Sequence, residues 1–476
     1  MALSFEQEPI SDSTTSPVIT NWTPIVPYVL YRNVSIASLF YYKLVLEIRL
    51  TDSSGTLLGK IKQRRNGFSD DIAANKARAI FDLKDIVNSQ LQDTNADQNA
   101  TTKTIHKVGT NSATTPFSQN NNQFLSIYVK GYENYSSAAN ISPSDVLDDA
   151  INDTKFYMAA SLDLNTARGT ADFQDTAFSS YSLSGSTSLF LSDIQDSSAD
   201  NIGAVKRNYI QSTDYHTIGM LNGVSDLASD AYFIGIQYYD SSNNVINSPG
   251  GTAIEYIANT NLNGGANPDT EVNTNPERLI YFGCGPANLE SQSRNTEARP
   301  SEFDNWAYYT IRAYDSNATT TKSALYYFIN QDGSCKGFKV RRLAWRNSLG
   351  CFDYFNFKKK STQTINVTRN NYNSLLGNFN SDMYSYNNFS RGKNTRNTTA
   401  IVKEVINTDW ITEEDAVLLE GLIVSTNIQI VENADTNYTV PVLVTDTSFI
   451  KKTVANDKMI KYTINIEYAN PINTNS

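Results

Sequence analysis

The chain offers few residues for acid–base or metal chemistry. It contains only two histidines, His106 and His216, whereas a serine-hydrolase triad needs a histidine base and many zinc centres need several histidine ligands. The spacings that mark nucleotide-binding loops, zinc proteases and EF-hands are also missing from the sequence. We therefore expect no enzyme activity, no cofactor, and no catalytic or metal-ligating residue.

Two stretches come closest to a ligand site. Asp193, Asp196 and Asp200 offer carboxylates of the kind that bind calcium, but their loop lacks the glycine of the EF-hand pattern. This difference favours a solvated acidic loop. GCGPAN at 283–288 lacks the final glycine and the strand-to-helix setting of a dinucleotide-binding loop, and we interpret it as a tight turn. The two catalytic carboxylates of a glycan-cleaving enzyme lie close in space but at no fixed separation in sequence. The sequence therefore does not single out any pair of acidic residues for this role.

Composition and charge narrow the function classes further. The net charge of -10 and the pI near 4.9 argue against a globally basic nucleic-acid-binding protein. Cys284, Cys335 and Cys351 show no CxxC spacing, so we expect buried thiols and neither a disulfide framework nor a zinc site. No run approaches the roughly 18 apolar residues of a membrane helix, and the first residues lack the pattern of a signal peptide. We expect a protein made in the cytosol without membrane insertion.

Strict alternation of apolar and polar residues indicates β-strands. In YYKLVLEIRL at 41–50, the apolar residues from Tyr42 to Leu50 fall on one face. TDSSG is a turn signal, and TLLGKIKQRR after it is predicted to be the hairpin partner. The same strand–turn–strand design recurs at 231–246 and 307–329, and residues 460–468 alternate without a fault. These patterns predict sandwich-like units and a last strand that pairs into a sheet.

The predicted fold class is therefore mainly β and multidomain, with β-sandwich-like units, long polar loops and two short capped helices. The two helices are indicated by capping-box patterns at 82–85 and 412–415. Long polar segments lie at 91–123 and 258–277. We assign an N-terminal β-domain to 1–133 with its polar loop at 91–123, an insertion or small mixed domain to 134–230, a β-sandwich-like domain to 231–334, and a C-terminal β-domain with a short helix near 412–424 to 335–476.

A basic, aromatic-rich stretch stands out in this acidic chain. WRNSLGCFDYFNFKKK at 345–360 lies within a segment, 336–369, that carries nine basic residues and one acidic residue, Asp353. Three interpretations stay open: a platform for nucleic acid, an assembly interface, or two core strands followed by a solvated lysine turn. The candidates for interface contacts are Arg341, Arg342, Trp345, Arg346, Tyr354, Lys358, Lys359 and Lys360.

The sequence around this stretch resembles a group of phage proteins. LAWRNSLGCFDYFNFKKKS, then WITEEDA, then PVLVTDTSFIKKTVANDKMIKYTINIEYAN are similar to segments of uncharacterised tail, baseplate or neck-region virion proteins of tailed phages, especially crAss-like and related phages of Bacteroidetes. YYKLVLEIRL and RAIFDLKDIVNSQL resemble the opening domain of that group. Cys351 occupies the position of the second glycine in the group's motif. The resemblance implies a structural component built of β-domains, and it carries no catalytic residues.

Together these observations predict a virion structural component that acts through symmetric protein–protein contacts, with other tail or neck proteins and copies of itself in a ring as partners. Nucleic acid is not an expected partner, and the expected location is the virion, assembled in the host cytoplasm. The alternative is a receptor- or glycan-binding tail appendage, and a glycan depolymerase is the less favoured third possibility.

Overall fold

The protein is mainly β, as predicted, and its chain divides into two compact units. The computed structural model describes residues 3–9, 18–21, 27–91, 105–108, 117–119, 124–161, 181–193, 206–222, 231–258, 279–290, 298–332, 337–431, 439–446, 450 and 460–475. Unit 1 comprises Met1–Gln331 and Asn347–Asp353, and unit 2 comprises Asp332–Arg346 and Tyr354–Ser476. Among the described residues, no helix has the length and apolar character needed to cross a membrane.

The first part of unit 1 is a sandwich of two sheets. The three-stranded sheet has the order β1 (Leu3–Gln7), β3 (Tyr28–Arg32), β6 (Ala77–Phe81). The five-stranded sheet has the order β2 (Val18–Asn21), β9 (Ser144–Ser161), β8 (Phe124–Ser136), β4 (Phe40–Leu50), β5 (Leu57–Gln63). Apolar side chains of both sheets form one buried core. Two short helices, α1 (Ser69–Ala73) and α2 (Lys84–Asn88), flank β6 in the sequence.

The predicted hairpin of 41–63 is confirmed, because β4 pairs with β5 in antiparallel register. The strand is more deeply buried than alternation predicts. Leu44, Leu46 and Ile48 lie in the core, but Val45 and Glu47 on the opposite face are buried too. Ion pairs to Arg49 and Lys60 satisfy the Glu47 carboxylate at 2.7 and 2.8 Å, which is the condition under which a charged group is tolerated at a buried position.

The second part of unit 1 is another sandwich of two sheets around one core. The four-stranded sheet has the order β10 (Ser182–Leu183), β12 (Thr217–Asn222), β16 (Leu279–Gly283), β7 (Phe117–Gln119). The six-stranded sheet contains β11 (Lys206–Ile210), β18 (Tyr326–Asn330), β17 (Tyr308–Tyr314), β13 (Phe233–Tyr239), β14 (Val245–Ile246) and β15 (Glu255–Ala258). Helix α3 (Pro286–Glu290) follows β16. The two predicted hairpins, β13 with β14 and β17 with β18, are confirmed, and β13 also pairs with β17.

Strands from two of the predicted segments join sheets with strands from other parts of the chain. Among the described residues of 134–230, β9 belongs to the first sandwich, β10 and β12 belong to the four-stranded sheet, and β11 pairs in parallel with β18. The predicted polar loop at 91–123 contributes a buried 3-10 turn (Ile105–Lys107) and strand β7 to the second sandwich. The remainder of that loop after Leu91, and residues 259–278, lie outside the described residues.

Unit 2 is built on one eight-stranded sheet. Its order is β20 (Phe352–Phe357), β19 (Arg341–Arg346), β25 (Ile428–Val431), β26 (Thr439–Val444), β27 (Thr463–Tyr468), β24 (Lys393–Asn407), β21 (Thr362–Asn373), and β28 (Ile472–Asn475) also pairs with β24. A two-stranded sheet, β22 (Asn378–Asn380) and β23 (Met383–Ser385), lies between β21 and β24 in the sequence. The predicted last strand is confirmed, since β27 pairs with both β26 and β24.

One of the two predicted capping boxes is present. Helix α4 (Glu413–Val424) begins after Thr412, whose hydroxyl accepts a hydrogen bond from the backbone N–H of Asp415, while the Asp415 carboxylate accepts one from the N–H of Thr412. Helix α2 instead has Leu83 at its N-cap position, and the Asp82 carboxylate accepts from the N–H of Lys84. The capping box predicted at 82–85 is therefore wrong, because the helix begins one residue later than the pattern requires.

Candidate assembly interface

Five of the eight predicted interface residues are buried in the folded chain. Trp345 is fully buried, and Arg341, Arg342, Tyr354 and Lys358 each expose less than a tenth of their surface. A residue without accessible surface cannot supply the anchor of a protein interface or a stacking face for a base. For these five residues, the burial favours the core-strand interpretation over the interface interpretation.

The buried arginines have partners within the sheet. The guanidinium of Arg342 donates to Oδ1 of Asn356 at 2.9 Å and lies 4.9 Å from the ring centre of Tyr354. Nε of Arg341 donates to Oε1 of Glu404 at 2.8 Å. Arg342 thus links the neighbouring strands β19 and β20, whereas Arg341 links β19 to β24, which is not its neighbour in the sheet order. Both contacts fit the rule that buried charges are paired.

The other three predicted residues retain exposed surface. Arg346 is half-buried at the end of β19, Lys359 forms an ion pair with Asp409 at 2.9 Å, and Lys360 is exposed. Lys359 and Lys360 belong to the turn between β20 and β21, where the sequence predicts a solvated lysine turn. Their contact with a partner stays a prediction.

A strongly exposed two-stranded β-hairpin extends from the large sheet of unit 2. The pairing of β21 with β24 runs from Thr362 of β21 to Lys393 of β24, which is its far end. Along the other edge of β24, strand β27 pairs only with Lys403–Asn407 and strand β28 only with Asn397–Ala400. Residues 370–396, named here the arm, therefore have no neighbouring strand among the described residues apart from each other. All twelve residues of β21 are exposed. An isolated two-stranded ribbon is at most marginally stable in water, and its free edges invite pairing with another chain.

The tip of the arm presents a cluster of exposed apolar side chains. The exposed fraction is 81% for Leu375 and 83% for Phe389. The exposed apolar residues of the tip are Leu375, Leu376, Phe379, Met383, Tyr384, Tyr386 and Phe389. Single exposed apolar residues are common on protein surfaces, but several on one short segment make that segment a candidate interaction site.

Local contacts give the tip a defined conformation. The backbone N–H of Ser374 donates to the carbonyl of Gly392 at 2.8 Å, and β22 pairs with β23 inside the tip. Gly377 has a φ of +83°, and a Cβ on it would lie 2.1 Å from the carbonyl oxygen of Ser385, so only glycine fits there. The apolar side chains are thus presented on an ordered hairpin, which lowers the entropy lost when a partner binds.

The arm differs from the rest of the chain in charge. It contains Arg391, Lys393 and Arg396 and the single acidic residue Asp382, whereas the chain as a whole has a net charge of -10. A positively charged hairpin with an apolar tip is complementary to a surface that is acidic at its rim and apolar at its centre.

Sequence reasoning missed the arm, although a signal for it exists. TQTINVTRNNYN at 362–373 is rich in β-branched residues, but neither of its alternating faces is consistently apolar. The following SLLGNFNSDMYSYNNFSRGK places aromatic residues among asparagine, serine and glycine, which are turn residues. A strand with two polar faces followed by aromatic residues in a turn-rich segment indicates a protruding hairpin.

The glycine-rich segment at 283–288 is a packed turn. It does connect strand β16 to helix α3, so the expectation that it lacks a strand-to-helix setting is wrong. A Cβ on Gly283 would lie 2.2 Å from the Val108 carbonyl oxygen, and one on Gly285 would lie 2.3 Å from the His216 nitrogen. Protein backbone therefore occupies the space that a phosphate would need, as the tight-turn interpretation predicts.

Both histidines are buried beside this turn. His106 is fully buried with its ring 4.9 Å from that of Phe352, and His216 is packed 5.1 Å from Phe328. The buried amide of Asn288 donates to the carbonyl of His106 and accepts from the N–H of His216. Among the described residues, no group of three or more histidine, cysteine or acidic side chains is placed to hold a metal ion. Cys284 and Cys351 are buried thiols, as predicted, while Cys335 lies outside the described residues.

Of the three aspartates considered as calcium ligands, Asp193 is half-buried beside the buried carboxylate of Asp353, whereas Asp196 and Asp200 lie outside the described residues. Asp353 accepts hydrogen bonds from the Ser192 hydroxyl, the N–H of Asp193 and the Asn347 amide at 2.5, 2.9 and 3.0 Å. Asp193 accepts from the hydroxyl and the N–H of Ser348 at 2.7 and 3.1 Å. These hydrogen bonds connect the 347–353 segment to the residues around Asp193. The solvated-loop interpretation is therefore wrong for Asp193.

Burial and the nearby Asp193 carboxylate raise the pKa of Asp353 to about 7, and burial raises the pKa of Asp193. The phenol of Tyr181 faces the pair, and burial and the two carboxylates raise its pKa to about 12. Because the folded pKa of Asp353 lies above its ordinary value, its protonated form stabilises the fold fully below about pH 4. That stabilisation is lost as the pH rises through about 7.

We expect the free energy of unfolding of unit 1 to fall by up to about 1.4 kcal/mol per pH unit between about pH 5 and about pH 7. Chemical denaturation at several pH values measures this slope. In Asp353→Asn the slope in this window should become flatter, whatever the change in absolute stability, and in Asp148→Asn, at an exposed position, it should not change. Equal slopes in the wild type and Asp353→Asn would contradict the assignment.

Comparisons with known proteins do not assign the chain to a family. No family model matches the sequence, and no curated protein matches it. Solved structures give a weak match to a protein described as "Biofilm associated protein - BSP domain", with 9% sequence identity and a TM-score of 0.14. The match covers 79% of this chain and 60% of that chain. A TM-score this low carries no argument about fold or function.

Proposed function

We propose that the protein is a structural subunit of a tailed-phage virion, located in the tail, baseplate or neck, and that it acts by symmetric assembly. The arm is the observation that carries this proposal, because it combines free strand edges with exposed apolar side chains. The similarity of both ends of the chain to virion proteins of tailed phages supports the location. Other tail or neck proteins are the further partners.

The partner that we propose for the arm is a neighbouring copy of the same chain. The arm is positively charged while the chain as a whole is acidic, so an arm meets complementary charge on the rest of another copy. The contact joins two different surfaces, and such heterologous contacts close into a ring when the rotation between subunits allows it. In a closed ring of this kind, every apolar tip is buried against a neighbouring copy.

Light scattering on the purified protein at low and high salt, together with negative-stain images, tests the proposal. We expect a ring-shaped oligomer at low salt and a shift toward smaller species at high salt, because salt screens the attraction between arm and acidic surface. A monomer at both salt concentrations would contradict self-assembly through the arm. A salt-insensitive trimer with an elongated tip would favour the receptor-binding appendage instead.

A further inference from the structure

A groove in unit 1 has the dimensions and lining of a ligand site. Its volume is about 900 Å³, within the range of roughly 300–1,000 Å³ that is typical of small-ligand sites. Most of its lining comes from segments that connect strands, and the rest from the first residues of β4. The segments lie before β4, after β5, before β6 and between β8 and β9.

The charge of the groove indicates an anionic ligand. Lys43, Arg64 and Arg65 line it, and the lining contains no carboxylate. Within the described part of the chain, no side chain forms an ion pair with any of the three. Three uncompensated cations around one concave surface of an acidic protein attract an anion, and guanidinium groups bind carboxylates with two parallel hydrogen bonds.

An aromatic ring is held in a fixed position at the same groove. Tyr41 has a φ of 58°, in the left-handed region that bulky residues rarely adopt, and it lies in an irregular part of the β4–β8 pairing. More than half of its surface is exposed, and its hydroxyl donates to the Ala139 carbonyl at 2.6 Å. Strained conformations of this kind concentrate at binding sites, where the surrounding structure maintains them.

The remaining polar groups favour a sugar over a peptide. Asn75, Asn140 and Ser142 are exposed in the lining and offer amide and hydroxyl groups that can both donate and accept hydrogen bonds. An extended peptide usually binds by adding a strand to a free sheet edge. The only strand in the lining, β4, pairs with β5 from Leu44 onward, so its first residues leave one edge without a partner among the described strands. The left-handed φ of Tyr41 and the register shift between Phe40 and Lys43 interrupt the regular edge that an added strand would need.

We propose that this groove binds a carboxylate-bearing oligosaccharide. Arg64, Arg65 and Lys43 bind the carboxylate, the ring of Tyr41 stacks on an apolar sugar face, and the asparagine and serine side chains hydrogen-bond the sugar hydroxyls. The proposal does not depend on assembly through the arm, because the groove lies within one unit of one chain.

Titration calorimetry on the full-length protein tests the proposal with a panel of hexuronate- and sialate-bearing oligosaccharides, each beside a neutral counterpart. We expect at least one acidic oligosaccharide to bind about tenfold more tightly than its neutral counterpart at physiological salt. Absence of binding to every acidic sugar, or equal affinity for the neutral ones, would overturn the proposal. Tighter binding of a hexaglutamate peptide than of any sugar would assign the groove to an acidic peptide and also overturn it.

Two groups of variants locate the binding. Arg64→Gln with Arg65→Gln should weaken binding about tenfold or more, whereas Lys84→Gln with Lys130→Gln removes the same charge outside the groove lining and should not. Tyr41→Asn removes the ring while asparagine tolerates the left-handed backbone, so affinity should fall without loss of folding. Unchanged affinity in both groove variants would show that the sugar binds elsewhere.

Discussion

Replacing Leu375 and Phe389 by serine is expected to abolish self-association while leaving the folded subunit as stable as the wild type. Both side chains are more than four-fifths exposed, so the isolated subunit loses almost no packing. Burying one such side chain contributes about 1.5–3 kcal/mol, and a change of about 1.4 kcal/mol is tenfold in affinity. The double substitution should raise the Kd of each contact about a hundredfold or more.

Sedimentation or light scattering over a concentration series measures this effect, and thermal unfolding monitors the subunit. Val424→Ser is the matched control, because Val424 is 73% exposed at the end of α4 and lies outside the arm. An oligomer of unchanged size and affinity in the tip variant would show that the arm is not the contact. An equal loss in the control would show that exposed apolar surface in general drives association.

Local patterns in the sequence predict the strands well. Alternation at Leu44, Leu46 and Ile48 identifies β4, because one face of a strand packs on a core while the backbone repeats every two residues. The turn signal after it fixes the hairpin partner, and the capping box at Thr412 marks the start of α4 to the residue. These features depend on residues that are close in sequence, so they can be predicted without knowing the fold.

The pairing of strands that are far apart in sequence cannot be predicted in the same way. Strand β11 pairs in parallel with β18, more than a hundred residues later, and β7 joins a sheet from within a segment of loop-like composition. Neither pairing leaves a local signature, since each depends on the hydrogen bonds of distant strands. The sheet membership of the strands within 134–230, predicted only as an insertion or small mixed domain, could not be read from the sequence for this reason.

The basic stretch shows why composition alone does not locate an interface. A cluster of arginines and aromatics has the composition of an interface and equally that of two buried strands whose charges are paired. Composition does not reveal that Asn356 accepts from Arg342, or that Glu404, more than sixty residues after Arg341, neutralises it. The arm has a sequence signal in its two polar strand faces, but the sequence does not show which of its apolar residues lack a packing partner.

Substituting Glu404 by alanine is expected to destabilise unit 2 by about 3–5 kcal/mol, the usual effect of removing one partner of a buried ion pair. The Glu404 side chain is fully buried and accepts hydrogen bonds from Arg341 at 2.8 Å and from Gln363 and Tyr468 at 3.0 Å. Burial raises the pKa of Glu404, but the hydrogen bonds from Arg341 and Gln363 outweigh burial and lower it. The stabilisation is therefore present above the ordinary pKa of glutamate and lost as the pH falls through the lowered value.

Chemical denaturation of Glu404→Ala measures the effect, and Lys403→Ala is the control from the next position of the same strand. Lys403 forms a partly exposed ion pair with Glu467 at 3.0 Å, so its removal should cost no more than about 1 kcal/mol. Gln363 and Glu404 lie in β21 and β24, the strands that continue into the arm. Glu404→Ala should therefore weaken both folding and assembly, whereas the tip variant weakens assembly alone. Equal destabilisation by Glu404→Ala and Lys403→Ala would exclude Glu404 as the anchor of the arm.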